Sequence, residues 1–156
     1  MARRRRRTGV AALIGMVLVA ATGCGSDGTP TEVVESAAAW AGPARYSFTL
    51  ESTCGERWLI GTFRVTVDNG AVTAVEGLDE PARAAVAGRA LAFLREQVPT
   101  LPGLAAEAAR ARSAGADLVE VSVDPDAGHV TKVEIDPAKD SVDDESCYSV
   151  TDYQVG

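Results

Sequence analysis

Histidine is nearly missing from this chain: His129 is the only one in 156 residues, so the commonest general base near neutral pH has a single candidate. No serine or cysteine sits in a nucleophile motif beside it, which leaves nucleophilic catalysis without a starting point. There is no CxxC spacing, no zinc-ligand spacing and no glycine-rich phosphate loop. Aromatic residues are scarce at 5 %, so stacking platforms for nucleic acid are not on offer. Positive charge is scarce as well once the first residues are set apart. Five of the 15 basic residues are Arg3 to Arg7, whereas all 22 acidic ones lie beyond Cys24. The segment after Cys24 therefore carries 10 basic residues against 22 acidic ones, a net charge of −12 that disfavours nucleic acid and anionic lipid as partners.

What is present begins with a leader. Thr8 to Gly23 is uncharged, with Val10, Leu13, Ile14, Met16, Val17, Leu18 and Val19 as its apolar core. That core is too short for a permanent membrane helix, which needs ~20 apolar residues, and it follows a basic head as a secretory signal does. It ends in Ala21-Thr22-Gly23-Cys24, which resembles the lipobox of bacterial lipoproteins. The resemblance implies thiol lipidation of Cys24 and cleavage before it, placing the protein on the outer face of the cell membrane. The chain then divides into a signal peptide, 1–23, a tether, 24–30, and a single globular domain, 31–156. With Cys24 given to lipid, Cys54 and Cys147 remain as a pair in an oxidising compartment. They are read as a disulfide, against two buried free thiols or a redox site.

Along the domain, Thr29-Pro30-Thr31-Glu32 starts a helix expected to run to about Ala41. Arg45 to Thr53 and Trp58 to Asp68 alternate apolar and polar residues at the period of a strand with one buried face. Asn69-Gly70 then supplies the two positive-φ residues of a tight hairpin, so Ala71 to Glu76 should return as a third strand. Gly77 to Val98 is alanine-rich and helical in its spacing, with Asp79 or Glu80 to cap it. Leu101 to Ser113 predicts another helix, capped by Thr100, with Leu104, Ala108 and Ala111 facing inward and Glu107, Arg110 and Arg112 facing water. Val119, Val121 and Val123 alternate, as do Thr131, Val133 and Ile135; Ser146 to Tyr153 completes the set. The expected fold is α+β: an antiparallel sheet of five to six strands in βββ-αα-βββ order, with helices on one face.

The turn Asp124-Pro125-Asp126-Ala127-Gly128 is loosely like a calcium loop. It lacks a ligand at the fifth position, has glycine one place early, and has Ile135 where a bidentate glutamate belongs. Turn chemistry accounts for it better. The cluster Asp140, Asp143, Asp144 and Glu145 reads as a solvated loop, and no residue is assigned to a metal or to catalysis. His129, following the turn, is expected on the hairpin surface. Trp40, Tyr46 and Trp58 could line a groove, although their spacing favours core packing.

Several of these pieces occur together in a family of unknown function, DUF6174, made up of small bacterial lipoproteins and secreted proteins, which this chain resembles. The matching residues are Trp40, Tyr46-Ser47-Phe48, Cys54, Val65 to Val72, Val123-Asp124-Pro125 with Gly128, Ile135-Asp136, Asp143 to Glu145, and Tyr148 with Val150. The family pattern has tyrosine-proline where this chain has His129-Val130. No activity comes with the resemblance. The sequence thus points to a lipid-anchored, non-enzymatic envelope protein that needs no cofactor and binds a protein or small ligand through its sheet face or loops; if function resides in the stretch from Asp117 to Cys147, it is expected in the exposed loop from Asp136 to Glu145, as a surface for a partner. The alternatives are a calcium-dependent binding module and an unrecognised hydrolase.

Overall fold

The computed structural model describes residues 37, 39–55, 57–141 and 143–156. The expected signal peptide and tether, the expected lipidation residue Cys24 and most of the first expected helix lie outside them. Among the described residues no helix is long and apolar enough to cross a membrane.

Six strands form one antiparallel sheet: β1 (Arg45–Ser52), β2 (Gly61–Asp68), β3 (Ala71–Gly77), β4 (Leu118–Val123), β5 (Val130–Asp136) and β6 (Ser146–Val155). Their order across the sheet is β3-β2-β1-β6-β5-β4, so two three-stranded meanders join through β1 and β6 at the centre. Three helices, α1 (Glu80–Val86), α2 (Leu91–Gln97) and α3 (Leu101–Ala114), carry the chain from the β3 edge to the β4 edge across one face. The α+β class and the βββ-αα-βββ order are those expected, with α1 and α2 together in the first helical place.

Alternation decides which face is covered. Tyr46, Phe48 and Leu50 of β1, Phe63, Val65 and Val67 of β2, and Tyr148 and Val150 of β6 are all buried. Against them α3 lays Leu101, Leu104, Ala105 and Ala108, spaced as one face of a helix. Each fully buried Phe or Leu contributes about 1.5–3 kcal/mol relative to an exposed one. The opposite face carries Arg45, Arg64 and Lys132 paired with Asp68, Asp152, Glu120 and Glu134.

Local signals act where they were expected. Asn69 and Gly70 have φ of 51° and 77°, and Asp68 pairs with Ala71 across them. Thr100 caps α3 by accepting the Gly103 N–H, and Gly115 ends it at φ 84°. Asp79 caps α1 through the Ala82 N–H, and its second carboxylate oxygen accepts the N–H of Thr62, tying the helix to β2.

Four expectations are corrected. The segment Gly77 to Val98 is two short helices, because Gly88 at φ 70° breaks the helical path after Ala87. Trp58 lies outside β2, which begins at Gly61, where β1 pairing begins at Ser52. His129 is only 5 % exposed. Pairing of β5 with β6 runs from Ile135↔Ser146 to Lys132↔Ser149 and ends there; beyond it the His129 ring packs 4.3 Å from that of Tyr153 and 6.0 Å from that of Trp40. A bulge in the β4–β5 ladder also places Val130, rather than Thr131, in the core opposite Val123.

Candidate functional site

The acidic turn is structural in its contacts. One carboxylate oxygen of Asp124 accepts the N–H groups of Ala127 at 2.7 Å and Asp126 at 2.9 Å, and these bonds, Ala127 first, hold its pKa below the usual carboxylate range. Trp40 fastens the turn to the domain by donating its indole N–H to the Ala127 carbonyl at 2.8 Å. In the next loop Asp136 accepts from the Ala138 N–H, and Asp117 reaches across to accept from the Lys139 N–H. Among the described residues no group of three His, Cys, Asp or Glu side chains is placed to hold a metal ion. Trp40, Tyr46 and Tyr153 form a packed aromatic corner, with Trp40 and Tyr46 ring centroids 5.6 Å apart.

Cys54 and Cys147 form the expected disulfide, with Cα atoms 5.3 Å apart. The bridge has a consequence for chemistry. Arg57 lies three residues after Cys54, and Ser146 and Tyr148 flank Cys147 on β6, so the bridge brings the guanidinium to two hydroxyls. Arg57 donates one N–H to the Tyr148 hydroxyl and another to the Ser146 hydroxyl, and its guanidinium carbon sits 5.3 Å from the Tyr148 ring centroid. Glu107 of α3 closes the cluster. Its carboxylate is 4.0 Å from the Arg57 guanidinium and accepts a long 3.5 Å bond from the Tyr148 hydroxyl.

This arrangement fixes the state of the tyrosine. Burial first, and the nearby Glu107 charge second, push the Tyr148 phenol up to about 12, with Arg57 opposing them. Tyr148 is therefore protonated at neutral pH and able to donate. Directly across β1 from it, the Ser52 hydroxyl is buried with no hydrogen-bond partner among the described residues.

The cluster lies between two depressions that share Glu107. One, of about 310 Å³, is bordered by Arg57, Trp58, Gln97 and Tyr148. The other, of about 420 Å³, runs beneath the C-terminal half of α3 and is lined by Arg110, Ala111, Ala114, Ala116, Ile135, Pro137 and Ser146. They adjoin at Glu107 on α3, one polar and the other apolar, and are together called the groove below. Trp58 borders the polar end but is itself packed, with Phe93 at 5.2 Å and the Arg89 guanidinium 5.0 Å from its ring.

Sequence reasoning placed function in the loop from Asp136 to Glu145; Pro137 of that loop borders the apolar end of the groove. It passed over Arg57 and Ser146, and it assigned Glu107 to the wet face of α3, where the structure shows it half-buried. A signal was available. Pairing Cys54 with Cys147 brings the polar residues near each into one neighbourhood.

Comparison with known proteins gives one match. The model of a family described as a family of unknown function (DUF6174) matches residues 34–155. No curated protein and no solved structure matches the chain.

Proposed function

The chain belongs to the DUF6174 family of unknown function, and from that premise we propose that it is an exported, lipid-anchored envelope protein whose folded domain is a non-catalytic binding module. The anchor reading rests on the leader: the arginine head, the short apolar core and the small residues before Cys24. The binding reading rests on one observation. Arg57 is held at the groove by two neutral hydroxyls, with its nearest carboxylate at 4.0 Å, so its charge is only loosely balanced. A guanidinium so placed recognises an anionic or strongly polar group. Tyr148 supports binding over proton abstraction, because a phenol titrating near 12 is a donor at neutral pH. A small ligand or a segment of an envelope protein is the occupant this reading admits; no cofactor or nucleic acid enters it.

Two measurements test it. Mass spectrometry of protein extracted from membranes should find a diacylglyceryl adduct on Cys24, and an unmodified Cys24 would end the anchored reading. A photo-crosslinking residue in place of Ala111 should capture a ligand or partner in membranes. Turnover of a hydrolase substrate panel that disappears in Glu107→Gln would replace the binding reading with an enzymatic one.

A further inference from the structure

Resting on the reading of the groove as a binding site, we infer that its occupant is a small amphiphilic monocarboxylate, its hydrocarbon under α3 and its carboxylate between Arg57 and Arg110. The apolar end has the shape of an acceptor. Its α3 wall presents Ala111 and Ala114, and Ile135 and Pro137 supply the facing surface. Larger side chains on α3 would close this space; two alanines leave about 420 Å³, within the range of small-molecule sites.

Charge selects the head group. Two guanidinium groups, Arg57 and Arg110, border the groove against one carboxylate, Glu107. Arg57 spends its close contacts on neutral hydroxyls, and Arg110 makes no ion pair among the described residues. The groove thus carries a local excess of one positive charge within a mature domain of net charge −12. The surrounding field opposes polyanions, so phosphorylated ligands are disfavoured. A single carboxylate matches the local excess, can be held bidentately by a guanidinium, and gains the rest of its binding from the buried chain. A cation of the same chain length would meet the excess positive charge and lose that head-group contact.

The experiment is a titration of the mature chain with octanoate, octanol and octylammonium, read by shifts of the Ala111, Ala114 and Ile135 amides. Octanoate should saturate, with affinity about tenfold or more above the other two, as expected when one charge-assisted contact is gained. Arg110→Gln should weaken octanoate binding more than octanol binding and so reduce that preference, whereas Glu107→Gln should tighten octanoate binding. A gain of affinity cannot come from misfolding. Equal binding of octanoate and octanol, no saturation, or no response to Arg110→Gln would overturn the inference, as would tighter binding of an acetylated tripeptide with a free C-terminal leucine. If octanoate fails while crosslinking at position 111 still captures a partner, the inference falls and the binding module stands. If crosslinking captures nothing and a groove-filling Ala114→Leu changes neither measurement, both fall.

Discussion

At the scale of single residues, the chemistry of this domain turns on how carboxylates and hydroxyls are spent. Tyr148 makes the sign of one pH effect definite. Its folded pKa is raised, so the stability it contributes is fully present below about 10, the ordinary tyrosine value, and is lost as pH rises towards about 12. Burial raises all three tyrosines, Tyr148 furthest, so ultraviolet titration should show every tyrosine ionising late, and Tyr148→Phe should remove the latest step. The same substitution leaves an Arg57 donor without its acceptor, and a loss of about 1–3 kcal/mol is expected in urea unfolding. Asp124 behaves oppositely. Its pKa lies below the ordinary range, so its contribution is present above the unfolded pKa and fades as pH falls through the folded value. Because the Asp124 oxygen nearest the turn is already taken by two backbone N–H groups, millimolar calcium should leave the melting temperature unchanged, and a calcium-induced rise would restore the calcium-module reading. Gly61 shows what one missing Cβ permits. At φ 121°, a Cβ there would sit 2.6 Å from the Asp79 carboxylate and 2.7 Å from the Ala82 nitrogen, so Gly61→Ala should undock α1 from β2 and lower the unfolding midpoint.

At the scale of elements, the disulfide and α3 carry most of the organisation. Cys54 and Cys147 are 93 residues apart, and closing a loop of that size is worth about 4–5 kcal/mol in the chain-entropy model. The double variant Cys54→Ser with Cys147→Ser should lose stability of that order and should also release the segment carrying Arg57. Hydrogen exchange should rise at residues 53–60 before it rises in β1 or β2, whose ladder does not depend on the bridge. In α3, Leu104 is fully buried against the sheet, and Leu104→Ala should cost about 2–5 kcal/mol in denaturant unfolding. The helices also show where sequence reasoning loses precision. The spacing of Val86, Ala90, Phe93 and Leu94 suits one helix through Gly88, yet the chain breaks there to let α1 contact β2 and β3 while α2 contacts β3. Propensity alone does not choose between a continuous helix and two that each reach their own surface.

At the scale of the whole molecule, the groove exists because the helices travel from one sheet edge to the other and leave α3 standing over β4 and β5. The strand alternation, the Asn69-Gly70 turn, the caps at Thr100 and Gly115 and the α+β class were legible in the sequence, because each depends on neighbours within a few residues. The pairing of Cys54 with Cys147 was legible too, from the cysteine count once Cys24 is set aside. His129 was misplaced because its burial depends on Trp40 and Tyr153, which are distant in sequence. Tyr153 itself reaches that corner only because the β1–β6 register shifts between Ser47 and Thr49, with Asp152 at φ 48°, which turns the following side chain to the other face. The candidate site was missed for the same reason: Arg57, Glu107, Ser146 and Tyr148 come from a loop, a helix and a strand, and none belongs to a recognisable motif. The sequence by itself determined the local elements, since periodicity and capping act over short stretches of chain. Only the tertiary structure decided strand order, the bulges and the meeting of Arg57 with Tyr148, because those follow from packing distant surfaces against each other, where one residue's partner is set by the whole fold.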